Sequence, residues 1–496
     1  MKNNWVGGPC SIDILNTSLF ATDKERAIGV GFHNIGGVLR ASNPAIVAKL
    51  DAHYGERCGH VPFDARKLRV LVDVPTAAID AQMSYLSLLL GKELKAVTRE
   101  ALQAECRPGE RPLVVPYVNV PEAGQYVHAV VEDAELWGLP AEMVHVLKNK
   151  ADFYALADEL SEASQDNLRA PDYIITTLDR LPDAAWDFLA FIEDLYAEAG
   201  LTAHYPAGMI LRAAESDGNY GSCVLYARGS SVLLVRDGDA DVIQMYPDWK
   251  SALLAAQMSL AAAMHVEKEA RIVISRLVEL ADSPGLSVVL FNGSVASLRW
   301  NGQLQGQDSK ACVGTSTYVP KTAFLREMQQ RSEDHTAHFF ITMLKHTAQK
   351  CGIDFSAIRG LANIDIMLPG EIEVALQRSR KQPLTHYLAE CNPRWTNYTD
   401  AIMTIIGVSR REPTINNMQS VIQQGISSID KSPLPLQLDP ALVREHVYEL
   451  DGVLKQEGIR IICRMTKNPM GLIFAGDVPR AQQEFNQLIA SLIADN

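Results

Sequence analysis

The sequence has no Cys-x-x-Cys pair: its eight cysteines, Cys10, Cys58, Cys106, Cys223, Cys312, Cys351, Cys391 and Cys463, are scattered over 496 residues. That spacing argues against structural zinc and a disulfide framework and suits a reducing compartment. There is no run of about 20 apolar residues to span a bilayer, and Met1–Trp5 leads into mixed sequence without an apolar signal core. The expectation is a cytoplasmic protein with no membrane partner. Basic residues are outnumbered, 46 Lys and Arg against 59 Asp and Glu, and the net charge of −13 argues against a nucleic-acid partner. A basic pocket for an anion such as ATP stays compatible with that charge. Familiar catalytic signatures are missing as well. No Gly-x-x-x-x-Gly-Lys-[Ser/Thr] loop and no Gly-x-Ser-x-Gly elbow occurs, and after Gly29 and Gly31 a dinucleotide fingerprint would need glycine where Asn34 stands. "VGFHNIGG" (30–37) therefore reads as a turn.

What is present is globular material, 47% apolar and 21% charged, in a chain long enough for two to four packed units. Residues 1–140 alternate strand-like runs, "LRVLVDVP" (68–75) and "PLVVPYVNV" (112–120), with a helical pattern at 77–94, as in an open α/β domain. From 141 the pattern changes. Helices are expected at 147–163, at 183–200 with Asp183 as N-cap, at 251–264 and at about 321–350. Short strands fall between 208 and 302, and "ANIDIML" (362–368) and "THYLAECN" (385–392) read as a pair. The fold class is α+β with an α/β N-terminal domain. "SSIDKSPLPLQLDP" (427–440) reads as a linker, and residues 441–496 give a small α-β-β-α unit.

The stretch with most chemistry is "HYLAECNPRWTNYTDAI" (386–402). On a strand, alternate side chains share a face, so Glu390, Asn392 and Arg394 converge if the strand runs that far. A carboxylate and a carboxamide oxygen suit a hard divalent cation, Arg394 suits a phosphate oxygen, and Asp365 on the neighbouring strand would complete a carboxylate pair. The structural alternative is a surface strand with a Glu–Arg ion pair. A second feature is "ILRAAESDGNYGSCVLYA" (210–227), where Arg212 precedes a small-residue loop with Ser216, Gly218, Gly221 and Ser222. Such a loop can lay backbone N–H groups over phosphates, or it is an ordinary hairpin turn. Lys148 and Lys150 stand near a helix start. His335 and His338 read as a solvated helix start rather than a metal site, and Gln303, Gln305, Gln307 and Lys310 form either a substrate wall or a surface hairpin.

In their order these features resemble the ATP-grasp superfamily, most nearly the pheganomycin-type peptide ligases, which have a pre-ATP-grasp N-terminal domain and a small C-terminal domain. The resemblance covers about residues 110–400. It rests on "VPYVNVPEAGQYVHAVVEDAELWGLPAEMVHVLKNKADFYALADEL", on "NIDIML", and above all on the Glu-x-Asn-Pro-Arg motif in "AECNPRW". It implies domains at 1–140, 141–430 (with a lid at about 205–275) and 431–496. It implies that Lys150, Arg212 and the loop Ser216, Gly218, Gly221, Ser222 bind ATP phosphates. Arg276, Val278 and Glu279 would lie beside adenine, chiefly through the Arg276 and Val278 backbones. Asp365, Glu390 and Asn392 would hold Mg²⁺, and Arg394 would neutralise the transferred phosphoryl group. The implied activity is ligation of a small-molecule carboxylate and amine, an amino acid or peptide, with ADP and phosphate released. A homodimer is compatible with it. Many relatives have lysine where this chain has Arg212. A bicarbonate-activating carboxylase of the same fold and a catalytically silent nucleotide-binding scaffold are the alternatives.

Overall fold

The structure, a computed structural model, describes residues 12–20, 28–34, 56–57, 59–107, 110–129, 131–165, 167–202, 208–217, 220–236, 242–264, 269–305, 312–465 and 470–494. It is α+β throughout, built around three sheets. The N-terminal sheet contains β1 (Ile28–Phe32), β2 (Lys67–Leu71), β3 (Leu94–Val97), β4 (Leu113–Pro116) and β5 (Glu135–Leu136), in the order β3-β2-β1-β4-β5 and all parallel. Of the stretch read above as a turn (30–37), the first three residues instead end the central strand, with Gly29 and Gly31 inside it, and residues 35–37 lie outside the described residues. A Cβ on Gly29 would lie 2.5 Å from Pro62 and one on Gly31 2.7 Å from Val61, so the glycines serve close packing of backbone rather than reversal of the chain.

The second sheet is antiparallel and contains β6 (Tyr173–Thr177), β7 (Gly208–Asp217), β8 (Tyr220–Arg228), β9 (Ser231–Arg236), β10 (Val242–Tyr246) and β11 (Arg271–Arg276). Met209, Leu211 and Ala213 of β7 pack into a core with the helices Leu181–Glu198 and Trp249–Met264. Strand alternation sends Arg212 to the opposite face. The first of those helices begins before Asp183: Arg180 is its N-cap and Pro182 lies in its first turn, where proline's fixed φ and missing N–H cost nothing.

The third sheet contains β12 (Leu280–Asp282), β13 (Gly285–Phe291), β14 (Ser294–Gln305), β15 (Cys312–Thr317), β16 (Arg359–Pro369), β17 (Tyr387–Asn392), β18 (Ile426–Ser432), β19 (Arg460–Met465) and β20 (Met470–Ala475). Its order is β12-β16-β13-β14-β15-β18-β20-β19, with β17 also on β16. The helix Ala323–Lys350 packs on β13, β14 and β16, and His335 and His338 lie within it rather than at its start. The segment read as a linker is partly strand: β18 pairs β15 on one side and β20 on the other, so the C-terminal hairpin extends this sheet. Its Ser, Pro and Asp residues suggested a linker, yet Ser428 and Asp430 are buried and bonded to Arg464. Among the described residues no helix is long and apolar enough to cross a membrane.

The second and third sheets are joined at one end by charge. Arg276, at the end of β11, is fully buried and donates 2.6 and 2.9 Å bonds to Glu373 on the helix Glu371–Ser379. It also donates to Asp172, which takes Arg380 as well. Removing one partner of a buried pair strands the other's charge. Glu373→Gln should therefore cost about 3–5 kcal/mol of stability, measured by denaturant titration. A loss below about 1 kcal/mol, the size of an exposed pair, would mean that water reaches Arg276.

Candidate active site

The predicted pair of strands forms, and its register matters most. β17 runs antiparallel to β16 with Asp365 opposite Glu390 and Asn363 opposite Asn392. Direct opposition puts the two carboxylates on one face. Two carboxamides fix Asp365: Asn363 donates to its Oδ1 at 2.8 Å and Asn392 to its Oδ2 at 3.0 Å. Ser287 in turn donates to the Asn363 oxygen at 3.0 Å. Gly285 on β13 leaves room for this arrangement, since a Cβ there would lie 2.9–3.0 Å from Asn363, Asn301 and Asp365. Burial, followed by the charge of Glu390, pushes the Asp365 carboxyl up to about 7.

Lys150 is brought to this pair from the other sheet's side. Asn149 caps the helix Lys150–Ser164, accepting from the N–H groups of Ala151 and Asp152, and so fixes where Lys150 emerges. The buried Lys150 Nζ lies 3.3 Å from Glu390 Oε2 and donates to the backbone carbonyl of Ser216 on β7. Arg212 sits two turns of strand pleat earlier, donates to the Tyr154 hydroxyl, and lies 5.5 Å from that ring's centroid. Its Nε and the Ser216 hydroxyl are buried without a hydrogen-bond partner, an arrangement that leaves donors for an anion. Ser222 on β8 stands opposite Arg212. Gly221 is required twice over: its φ is +81°, and a Cβ would lie 2.3 Å from Met264. Gly218 lies outside the described residues, as do Gln307 and Lys310.

Arg394 follows the strand, with its guanidinium 5.6 Å from the Tyr117 ring centroid and a 3.3 Å bond to the Trp395 carbonyl. The strand ends at Asn392, so Arg394 is placed by the turn after Pro393 rather than by alternation.

Of the residues expected beside adenine, Val278 packs with Met367, Tyr387 and Ala389 into a small apolar cluster. The other two are committed elsewhere. The Arg276 N–H donates to the Asp172 carbonyl and its side chain to Glu373, because β11 continues through this residue. The Glu279 carboxylate accepts from the Ile372 N–H at 3.2 Å, where it caps the N-terminus of the helix Glu371–Ser379. Three contributors were missed from sequence: Tyr154, Asn363 and Met367. Tyr154 and Met367 carry ordinary core signals, and Asn363 could have been found as the i−2 neighbour of Asp365. Among the described residues no group of three His, Cys, Asp or Glu could hold a metal. The donor set here is two carboxylates and a carboxamide, which suits a hard cation and not zinc.

No family model matches this chain, and no curated protein matches it. Solved structures similar to it include an N5-carboxyaminoimidazole ribonucleotide synthetase in complex with ADP, 10% identical over 94% of this chain and 96% of that one, TM-score 0.47. Another is the N5-carboxyaminoimidazole synthase from Aspergillus clavatus with ADP and 5-aminoimidazole ribonucleotide, 10% identical over 86% and 99%, TM-score 0.47. A third is the biotin carboxylase–βγ-ATP complex from Campylobacter jejuni, 11% identical over 92% and 89%, TM-score 0.48. At such scores the description of this chain rests on its own strand order and register.

The Asp365–Glu390 pair has a measurable consequence. A carboxyl raised in the folded state holds its proton above the unfolded value, so folding takes up protons and stability falls as pH rises from about 4 to about 7. In metal-free protein Asp365→Asn should remove that loss and raise the melting temperature at neutral pH. The gain should vanish near pH 4, where the wild-type carboxyl is protonated in both states. A variant less stable than wild type at pH 7.5 would show that the two charges are not in conflict.

Proposed function

We propose that the chain is an ATP-dependent carboxylate–amine ligase of the ATP-grasp kind, joining a carboxylate of an amino acid or peptide to an amine. The observation that carries this reading is the meeting of Lys150, Arg212 and Ser216 with Asp365, Glu390 and Asn392 at the junction of two sheets. A carboxylate does not condense with an amine in water, because its oxygen is a poor leaving group and its charge repels nucleophiles. Phosphorylation removes both obstacles. A carboxylate oxygen attacks the γ-phosphorus, the bond from phosphorus to the ADP oxygen breaks, and an acyl phosphate results. The amine then forms the C–N bond as the carbon–oxygen bond to phosphate breaks.

The first step brings two anions together, and Lys150 and Arg212 are the cations available to hold the phosphates. Arg394, two residues beyond Asn392, suits the charge on the transferred group. The Arg212 guanidinium has more donors than a lysine and a fixed fork, and its Nε has no other partner. The apolar cluster of Val278, Met367 and Ala389 suits a purine ring. Mg²⁺ held by Asp365, Glu390 and Asn392 would add positive charge around the phosphates. The fit is supported by the raised Asp365 carboxyl, whose conflict with Glu390 a cation relieves.

Phosphate release from ATP against a panel of amino acids and short peptides, with mass spectrometry of the products, identifies the substrates. The nucleotide product should be ADP. Stoichiometric AMP and pyrophosphate on ion-exchange chromatography would reject the acyl phosphate route in favour of adenylation. Glu390→Gln keeps shape and removes charge, so turnover should fall by roughly two to three orders of magnitude with little change in melting temperature. Near-normal turnover in the folded variant would make this strand structural.

A further inference from the structure

The face of the third sheet that carries Asp365 stays without apolar side chains at these positions across four further strands, which is unusual for a buried surface. Asp365 is level with Gly285 and Asn301; Gln303, two residues on from Asn301, is level with Thr315, and Thr315 with Ser428. Asp430, two residues beyond Ser428, lies on the same face. The segment after β17 connects the two ends of this row: Asn392 donates to Asp365, while Asn397 donates to Asp430 Oδ2 at 2.5 Å. Arg394 stands between them in the chain.

Asp430 is held by an unusual number of donors. Its Oδ2 accepts from Arg57 as well as Asn397, and its Oδ1 accepts from Arg464 at 3.1 Å. Behind it, Arg464 is also paired with Asp400, which takes the His60 Nδ1 at 3.4 Å. Burial alone would raise the Asp400 carboxyl, but Arg464 and His60 hold it well below the usual range. Two guanidiniums thus face two carboxylates, and of the four Asp430 is the most exposed, with 11% of its side chain accessible. A carboxylate offers about four acceptor sites, so the three donors fix Asp430 and leave one site.

We propose that Asp430 is the anchor for the amine substrate: it accepts a hydrogen bond from the substrate's ammonium and, once that group has given one proton to solvent, presents the nitrogen's lone pair toward an acyl group beside Arg394. This rests on the ligase reading. Its rationale is that the two carboxylates at the Asp365 end face Lys150 and are read as the cation and phosphate site, so the amine needs a carboxylate of its own.

Hydroxylamine separates the roles, being uncharged at neutral pH and able to trap acyl phosphates as hydroxamates without an ammonium site. With the acid and amine found by the panel above, Asp430→Asn should lower kcat/KM for the amine about 10–100-fold, the loss expected of a charged hydrogen bond. Hydroxamate formation should stay within about twofold of wild type. Asp430→Glu, which keeps the charge but moves it, should raise KM for the amine with the same hydroxamate yield, and it decides the matter if the Asn variant does not fold. Equal loss of coupling and hydroxamate, or undiminished coupling in either folded variant, would overturn the proposal. Absence of hydroxamate from wild-type protein with every acid tested would instead reject the ligase reading.

Discussion

Two like charges held side by side on adjacent strands are the constraint around which the rest of this site is arranged. Asp365 and Glu390 meet because β16 and β17 pair with these two residues opposed, directly beside a register shift between Asp365 and Ile366, and a slip of one residue would turn one of them to the other face. Nothing about folding favours that register electrostatically. It is fixed by the apolar faces of Ile364 and Ile366 and by carboxamides that bond the carboxylate without neutralising it. The conflict is partly relieved by Lys150, reaching in from a helix outside the sheet. The chain accepts a local cost where a ligand would remove it, as sites under chemical demand commonly do.

The division between what the sequence disclosed and what it hid follows the reach of local pattern. β16 and β17 could be read because their residues alternate and their polar positions have an obvious chemistry. The helix carrying Lys150 could be read from Phe153, Leu156 and Leu160. What failed was inference from composition. Gly29 and Gly31 looked like a turn, but their freedom is spent on close contact with Pro62 and Val61. The segment at 427–440 looked like a linker because it is rich in Ser, Pro and Asp, but Ser428 and Asp430 face Arg464, 34 or more positions away. A polar strand is legible only when its partners are known, and these are distant in sequence.

Side-chain partners of single residues were equally hidden. Arg276 and Glu279 stand where a nucleotide-binding connection was expected, yet both side chains are used to join elements: Arg276 to Glu373, Glu279 to the end of the same helix. Charged residues near a presumed site are often there to build it. Tyr154 shows the converse. It reads as core and is buried, but its hydroxyl orients Arg212.

The buried network of Arg276, Glu373, Asp172 and Arg380 lies where the chain enters and leaves the second sheet: Asp172 precedes β6 and Arg276 ends β11. The entry and exit strands are thereby clamped to the third sheet, while β8, β9 and β10 extend away from that attachment. Mechanically this is a beam held at two points: the clamp at the Arg276 end of β7 and β11, and, at the other end of β7, Ser216, tied through Lys150 to Glu390 on β17. Rotation about the clamp would have to break the Lys150 contacts at the other end, so the second sheet can swing only when Lys150 lets go.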